Sequence, residues 1–132
     1  MATEKKTKEQ IIAAFQAALA AGNQAGNARI RELAKQPVQQ GKMLEECGTS
    51  RLHLYVDGRT SIGKILAELR DPSFSVLKTR SDGFLVRLRY DLKIVPPVSG
   101  QEFSIGHDSN EAAAKVLEQQ LGIPVSARLN ID

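Results

Sequence analysis

From Phe84 to Ile94 every second residue is apolar, while Arg87, Arg89, Asp91 and Lys93 fill four of the positions between. A period of two is that of a strand with one buried face and one wet face. The same period runs through residues 51 to 56, where Leu52, Leu54 and Val56 alternate with Arg51, His53 and Tyr55. The stretches "SFSVLKT" and "GFLVRLRYDLKIV" flank "RSDG". Asp-Gly supplies the positive φ angles of a tight hairpin, so these two strands are expected to pair antiparallel. "QEFSIGH" reads as a further strand over about 102 to 107 and "VSARLNI" as a final one.

Elsewhere the period is helical. Thr7 and Gln10 form a capping-box pattern ahead of Ile11, Ile12, Phe15 and Leu19, which predicts a helix over 8 to 21. "AGNQAGN" then places Gly22 and Gly26 beside Asn23 and Asn27, a composition that predicts a break, because each glycine costs a helix roughly 1 kcal/mol. Ile30, Leu33 and Ala34 predict a second helix over about 27 to 36, ended near Pro37, with "QPVQQGK" as a linker. The N-terminal third is thus read as an αα-hairpin, or as one kinked helix. Ile62, Ile65, Leu66 and Leu69 predict a helix capped by Thr60 or Ser61, and "SNEAAAKVLEQQLG" one capped by Ser109 and stopped at Gly122.

The expected fold is α+β, a two-layer sandwich in which a β-α-β-β-β-α-β unit over 48–132 carries its helices on one sheet face and follows a helical extension over 1–40. If 102–107 is a loop instead, the order becomes βαββαβ, the ferredoxin-like arrangement. The alternation assigns Leu52, Leu54, Val56, Phe74, Val76, Phe84, Val86, Leu88, Tyr90, Leu92, Leu129 and Ile131 to the core side. It assigns Arg51, His53, Tyr55, Arg87, Arg89, Asp91, Lys93, Arg128 and Asn130 to the outer side.

Charge adds to this picture. The chain has 132 residues, 42% hydrophobic and 25% charged, and a formal net charge of +3, values that fit one globular domain. Residues 74 to 94 hold five Lys and Arg against two Asp, and residues 95 to 132 hold two against five. The outer sheet side therefore gathers positive charge, which an anionic ligand would neutralise. Arg51, His53, Tyr55, Arg87, Arg89, Lys93 and Arg128 are the candidate contacts for RNA or another polyanion, since arginines track phosphates and rings stack bases. A single cysteine, Cys47, excludes an internal disulfide and points to a reducing, cytoplasmic setting. No apolar run approaches the ~20 residues of a membrane span, so no membrane partner is expected.

The segment from Ile62 to Leu121, "IGKILAELRDPSFSVLKTRSDGFLVRLRYDLKIV" through "EFSIGHDSNEAAAKVLEQQL", resembles the α-β-β-β-α order of double-stranded-RNA-binding domains, and "AAAKVLEQQL" is similar to their second helix. Where those domains carry a lysine cluster, this chain has "GHDSNE". With the strand at 51–56 added, the order also resembles ribosome-hibernation factors, which implies contact with RNA or the ribosome. "DGFLVRLRY" is similar to the glycine-aromatic start of an RNA-recognition-motif strand, with Val86 and Leu88 at the later aromatic positions.

Enzymatic chemistry is not expected. "GRTSIGK", comprising Gly58, Thr60, Ser61, Gly63 and Lys64, fits a phosphate loop between a strand and a helix, but Ile65 stands where the magnesium-binding hydroxyl belongs. It is a candidate for metal-independent phosphate or nucleotide binding. His107, Asp108 and Ser109 are contiguous and cannot converge as a triad, and two histidines without spaced cysteines or carboxylates define no metal site. No catalytic residue, cofactor or metal is assigned. The leading expectation is a binding module for RNA or another polyanion. A second is an assembly or inhibitor protein that docks an acidic partner and forms homo-oligomers through residues 8–36, burying Ile11, Phe15, Leu19, Ile30 and Leu33.

Overall fold

A computed structural model describes residues 6–36, 44–79 and 83–131. Three residues of the expected "RSDG" turn and most of the "QPVQQGK" linker lie outside the described residues. The element order is α1 (Lys8–Leu33), β1 (Gly48–Leu54), α2 (Ser61–Glu68), β2 (Phe74–Lys78), β3 (Phe84–Leu88), α3 (Phe103–Leu121) and β4 (Val125–Ile131). The four strands form one antiparallel sheet in the order β2-β3-β1-β4, with helices packed against it, an α+β sandwich. From β1 onward this is the βαββαβ, ferredoxin-like order.

Two expected details are corrected. "QEFSIGH" is not a strand, because α3 begins at Phe103. Only Glu102 retains an extended pairing, bridging Cys47. The helix starts early because the Glu45 carboxylate, far away in sequence, accepts hydrogen bonds from the Ser104 backbone N–H and hydroxyl. A carboxylate at a helix N-terminus satisfies free donors and opposes the positive end of the helix dipole. Ser109, the expected cap, lies wholly buried inside α3. The α-β-β-β-α order of double-stranded-RNA binders is therefore not formed, since only β2 and β3 lie between α2 and α3.

The αα-hairpin is also replaced by one helix. The capping box at Thr7 and Gln10 forms as expected, but α1 then runs through Gly22 and Gly26 without a break. The glycines are seats for the chain beyond β3. A Cβ on Gly22 would lie 2.1 Å from the Tyr90 ring, and one on Gly26 would lie 2.6 Å from Leu92 and 2.2 Å from the Ser109 hydroxyl. Beside them, Asn23 Oδ1 accepts from the Asp91 N–H at 2.7 Å and Asn27 Oδ1 from the Lys93 N–H at 2.7 Å. Asn27 Nδ2 donates to the Asp91 carbonyl at 3.0 Å. The spacings match: four helical residues rise about 6 Å and two extended residues about 6.6 Å. Each such bond contributes roughly 1 kcal/mol, which offsets the propensity cost of the glycines.

Side chains of α1, α3 and the sheet share one core, with Ile11, Phe15, Leu52, Leu54, Phe84 and Leu117 each fully enclosed. Phe15 stacks on Phe74 with ring centroids 4.8 Å apart. A second cluster joins Ile30, Leu33, Val98 and Ile105 at the other end of the helix pair. Arg29 on α1 also binds Asp108 on α3 at 2.7 Å. The described part of the expected 1–40 extension is thus integral to the α+β unit. Ile11, Phe15, Ile30 and Leu33, the residues expected to meet a partner subunit, are buried by this chain itself. At the sheet margin the core assignment fails for Ile131, which is 47% exposed.

Candidate functional site

The open face of the sheet follows from strand register. Leu52, Leu54, Phe84 and Val86 point to the helices and pair in register across β1 and β3. The residues between them must point outward. Arg51 and Arg128 are direct cross-strand partners on β1 and β4, His53 pairs with Leu85 and Ser126, and Ser75 with Arg87. Beyond the last β1–β3 pair, Leu52 with Val86, Arg51 and Arg87 face each other across the gap where the two strands part. Three arginines therefore form a row across three adjacent strands. None has an ion pair among the described residues, and the outward positions of the four strands hold no carboxylate. Directly opposed like charges cost a few tenths of a kcal/mol, so the row is electrostatically strained until an anion meets it.

At one end of the row, His53 and Tyr55 stack with centroids 4.3 Å apart and planes inclined by 13°. The Tyr55 hydroxyl accepts from Arg128 at 2.8 Å and hydrogen-bonds Ser126 at 3.0 Å, which fixes both ring and guanidinium. His53 Nε2 is buried close under Gly83, with no hydrogen-bond partner among the described residues. Burial lowers the His53 pKa, and the Arg128 charge adds to the shift.

The strands also separate locally. β1 pairs with β4 along all seven residues from Gly48 to Leu54, but with β3 only at Leu52, His53 and Leu54. The gap opens a depression of about 370 Å³ whose lining includes Arg51, Arg87, Ser75, Leu77 and Leu85.

Of the sequence-derived contacts, Arg51, His53, Tyr55, Arg87 and Arg128 come together on this face. Arg89 continues the outward alternation one residue beyond β3, its N–H bonded to the Ser73 carbonyl, and sits at the rim. Lys93 and Asp91 do not belong to it. β3 ends at Leu88, and beyond it the chain lies along α1, where Lys93 pairs with Asp91 at 3.0 Å. Leu77 and Leu85 were not among the expected contacts, although "SFSVLKT" already alternates Phe74 and Val76 with Ser75 and Leu77.

The Gly58–Lys64 turn is occupied by its own groups. Thr60 Oγ1 accepts from the Gly63 N–H at 3.0 Å and donates to the Asp57 carbonyl at 2.7 Å, while the Lys64 N–H goes to the Thr60 carbonyl. Ser61 opens α2. Hydrogen bonds from the Arg59 side chain and backbone, with the nearby positive charges, pull the Asp57 carboxyl down to about 2. A permanently ionised carboxylate beside the helix start opposes a second anion. Gly63 is needed because a Cβ there would lie 2.2 Å from the Asp57 carbonyl oxygen. The geometry is that of a capping turn.

One further cluster escaped the sequence reading. Ser50 Oγ lies 3.0 Å from His107 Nδ1, and His107 Nε2 lies 2.6 Å from Glu111. Serine, imidazole and carboxylate in series resemble a nucleophile relay, but Ser50 lies at a helix-facing position of β1, away from the arginine face. The chain of bonds ties α3 to β1. Among the described residues no group of three or more His, Cys, Asp or Glu is placed to hold a metal, and no helix is long and apolar enough to cross a membrane.

No family model, curated protein or solved structure matches this chain. The reading of function rests on the geometry of the open face.

Proposed function

We propose that this chain is a non-enzymatic binding module whose open sheet face contacts RNA or another polyanion. The observation that carries the reading is the row of Arg87, Arg51 and Arg128 across β3, β1 and β4, without an ion pair among the described residues. Such a row is unfavourable alone and becomes favourable when phosphates displace its counterions. Arg128 is held by Tyr55, so part of the row is ordered before a ligand arrives. The acidic side chains of α3, Asp108, Glu111 and Glu118, lie in the helical layer, and the outward positions of the four strands hold no carboxylate. The lone cysteine suits a reducing compartment such as the cytoplasm.

The test is a salt series of binding to single-stranded and duplex RNA and DNA. If the three arginines each release a counterion from a single strand, the logarithm of affinity falls against the logarithm of salt with a slope of about −2. Absence of binding at about 50 mM salt overturns the proposal.

A further inference from the structure

Beside the arginine row, one step along the strands, lies an apolar surface. Leu77 on β2 and Leu85 on β3 are direct cross-strand partners on the outward face, and Leu77 is 67% exposed. Isolated exposed leucines need no explanation. This pair, however, lies in the depression where β1 and β3 part, with Arg87, Arg51 and Ser75 in the same lining. Leu85 and Arg87 are two residues apart on one strand face, a separation of about 6.6 Å. That distance is within the reach of a single nucleotide from base to phosphate.

Resting on the reading above, we infer that this depression is a nucleotide subsite: a base lies flat on Leu77 and Leu85 while its phosphate bridges Arg87 and Arg51. The partner is then a single-stranded nucleic acid. A duplex keeps its base faces stacked on one another, so it would meet the arginines and leave the leucine floor in water. A base-free polyanion would do the same. An unstacked strand covers both surfaces at once, and the Ser75 hydroxyl at the rim is a donor or acceptor for a base edge.

The experiment uses fluorescence anisotropy on the full chain with a labelled 12-nucleotide single-stranded RNA, the same sequence as a duplex, and polyphosphate and an acidic apolar peptide as competitors. Parent, Leu77→Ser and Arg87→Gln are compared, each with its melting temperature. Both residues are exposed, so both variants should fold. The single strand should bind more tightly than the duplex. Leu77→Ser should weaken single-strand binding at least about fivefold, as loss of buried leucine surface does, without changing competition by polyphosphate. Arg87→Gln should weaken both. An unchanged single-strand affinity in Leu77→Ser, equal affinity for duplex, or stronger competition by the peptide than by polyphosphate overturns the nucleotide subsite while leaving a polyanion-binding face in place. Failure of RNA and polyphosphate alike to bind overturns both.

Discussion

The two faces of the sheet differ in how their side chains are satisfied. Toward the helices, Leu52, Leu54, Phe84 and Leu117 are enclosed. Polar groups on that side mostly find partners: the Tyr90 hydroxyl donates to Asn110 at 2.6 Å, and Glu102 accepts from Ser99 and Gly100. Burial pushes the Tyr90 phenol up. Burial also works to raise Glu102, but the donors from Ser99 and Gly100 outweigh it and hold the carboxyl below its ordinary range. On the open face the arginines have no ion pair and one imidazole nitrogen has no hydrogen-bond partner among the described residues, and a leucine faces solvent. The Ser109 hydroxyl, sealed inside α3, is the counterpart of the His53 nitrogen among the described residues, but only on the open face are the unmet groups within reach of a ligand.

That division makes core and open-face substitutions separable. The largest effect is expected for Phe84→Ala, which empties a fully buried site and should cost about 3 to 5 kcal/mol in chemical denaturation. Gly22→Leu comes next. Its side chain collides with the Tyr90 ring against α1, and overpacking of this kind costs about 1 to 3 kcal/mol despite the better helix propensity of leucine. Asn27→Ala strands the Lys93 N–H and should cost about 1 kcal/mol, read as a lower melting temperature. All three should leave polyanion affinity per folded molecule unchanged; a specific loss of binding in any of them breaks the separation.

The smallest effect concerns pH. Folding lowers the His53 pKa below its ordinary 6.5, through burial first and Arg128 second. The unfolded chain therefore takes up this proton at higher pH than the folded one, and stability falls as pH drops below about 6.5. Among the described residues, the groups facing His53 are Arg51 on its own strand and Tyr55 just past it, Arg128 and Ser126 on β4, Leu85 on β3 with Gly83 just before it, and Thr79 beyond β2. Among the described residues none of these is a carboxylate, and burial and Arg128 both act in the same direction. Denaturation of parent and His53→Gln from pH 5 to 8 isolates the contribution: the variant should lose less stability on acidification. A bound anion weakens the Arg128 field and favours the protonated ring, so ligand affinity should rise over the same interval.

The alternation of residues 51–56, 84–88 and 125–131 was enough to read both faces of three strands, and hence Arg51, His53, Tyr55, Arg87 and Arg128. The pattern misled beyond Leu88, where Tyr90 and Leu92 keep the period of two but lie on α1 instead of on a neighbouring strand. A local period reports which residues are buried, not what buries them. The same limit applies to Gly22 and Gly26, whose propensity predicts a break and whose packing against Tyr90 and Leu92 prevents one. At "QEFSIGH" the deciding partner was Glu45, 59 positions before Ser104 and invisible to any window around it. In the Gly58–Lys64 stretch the residue that organises the turn, Asp57, lies just outside the motif, where a window on the motif does not include it.

The central claim is that the open face binds a polyanion without contributing to the fold. Its most direct test is single-stranded RNA affinity against salt, measured with melting temperature, for the parent and for the triple substitution of Arg51, Arg87 and Arg128 by Gln. The account predicts a parent affinity that falls steeply with salt, loss of nearly all binding in the triple variant, and a melting temperature equal to the parent's or higher, because opposed like charges have been removed. A triple variant that binds as the parent does, or one that unfolds, contradicts it.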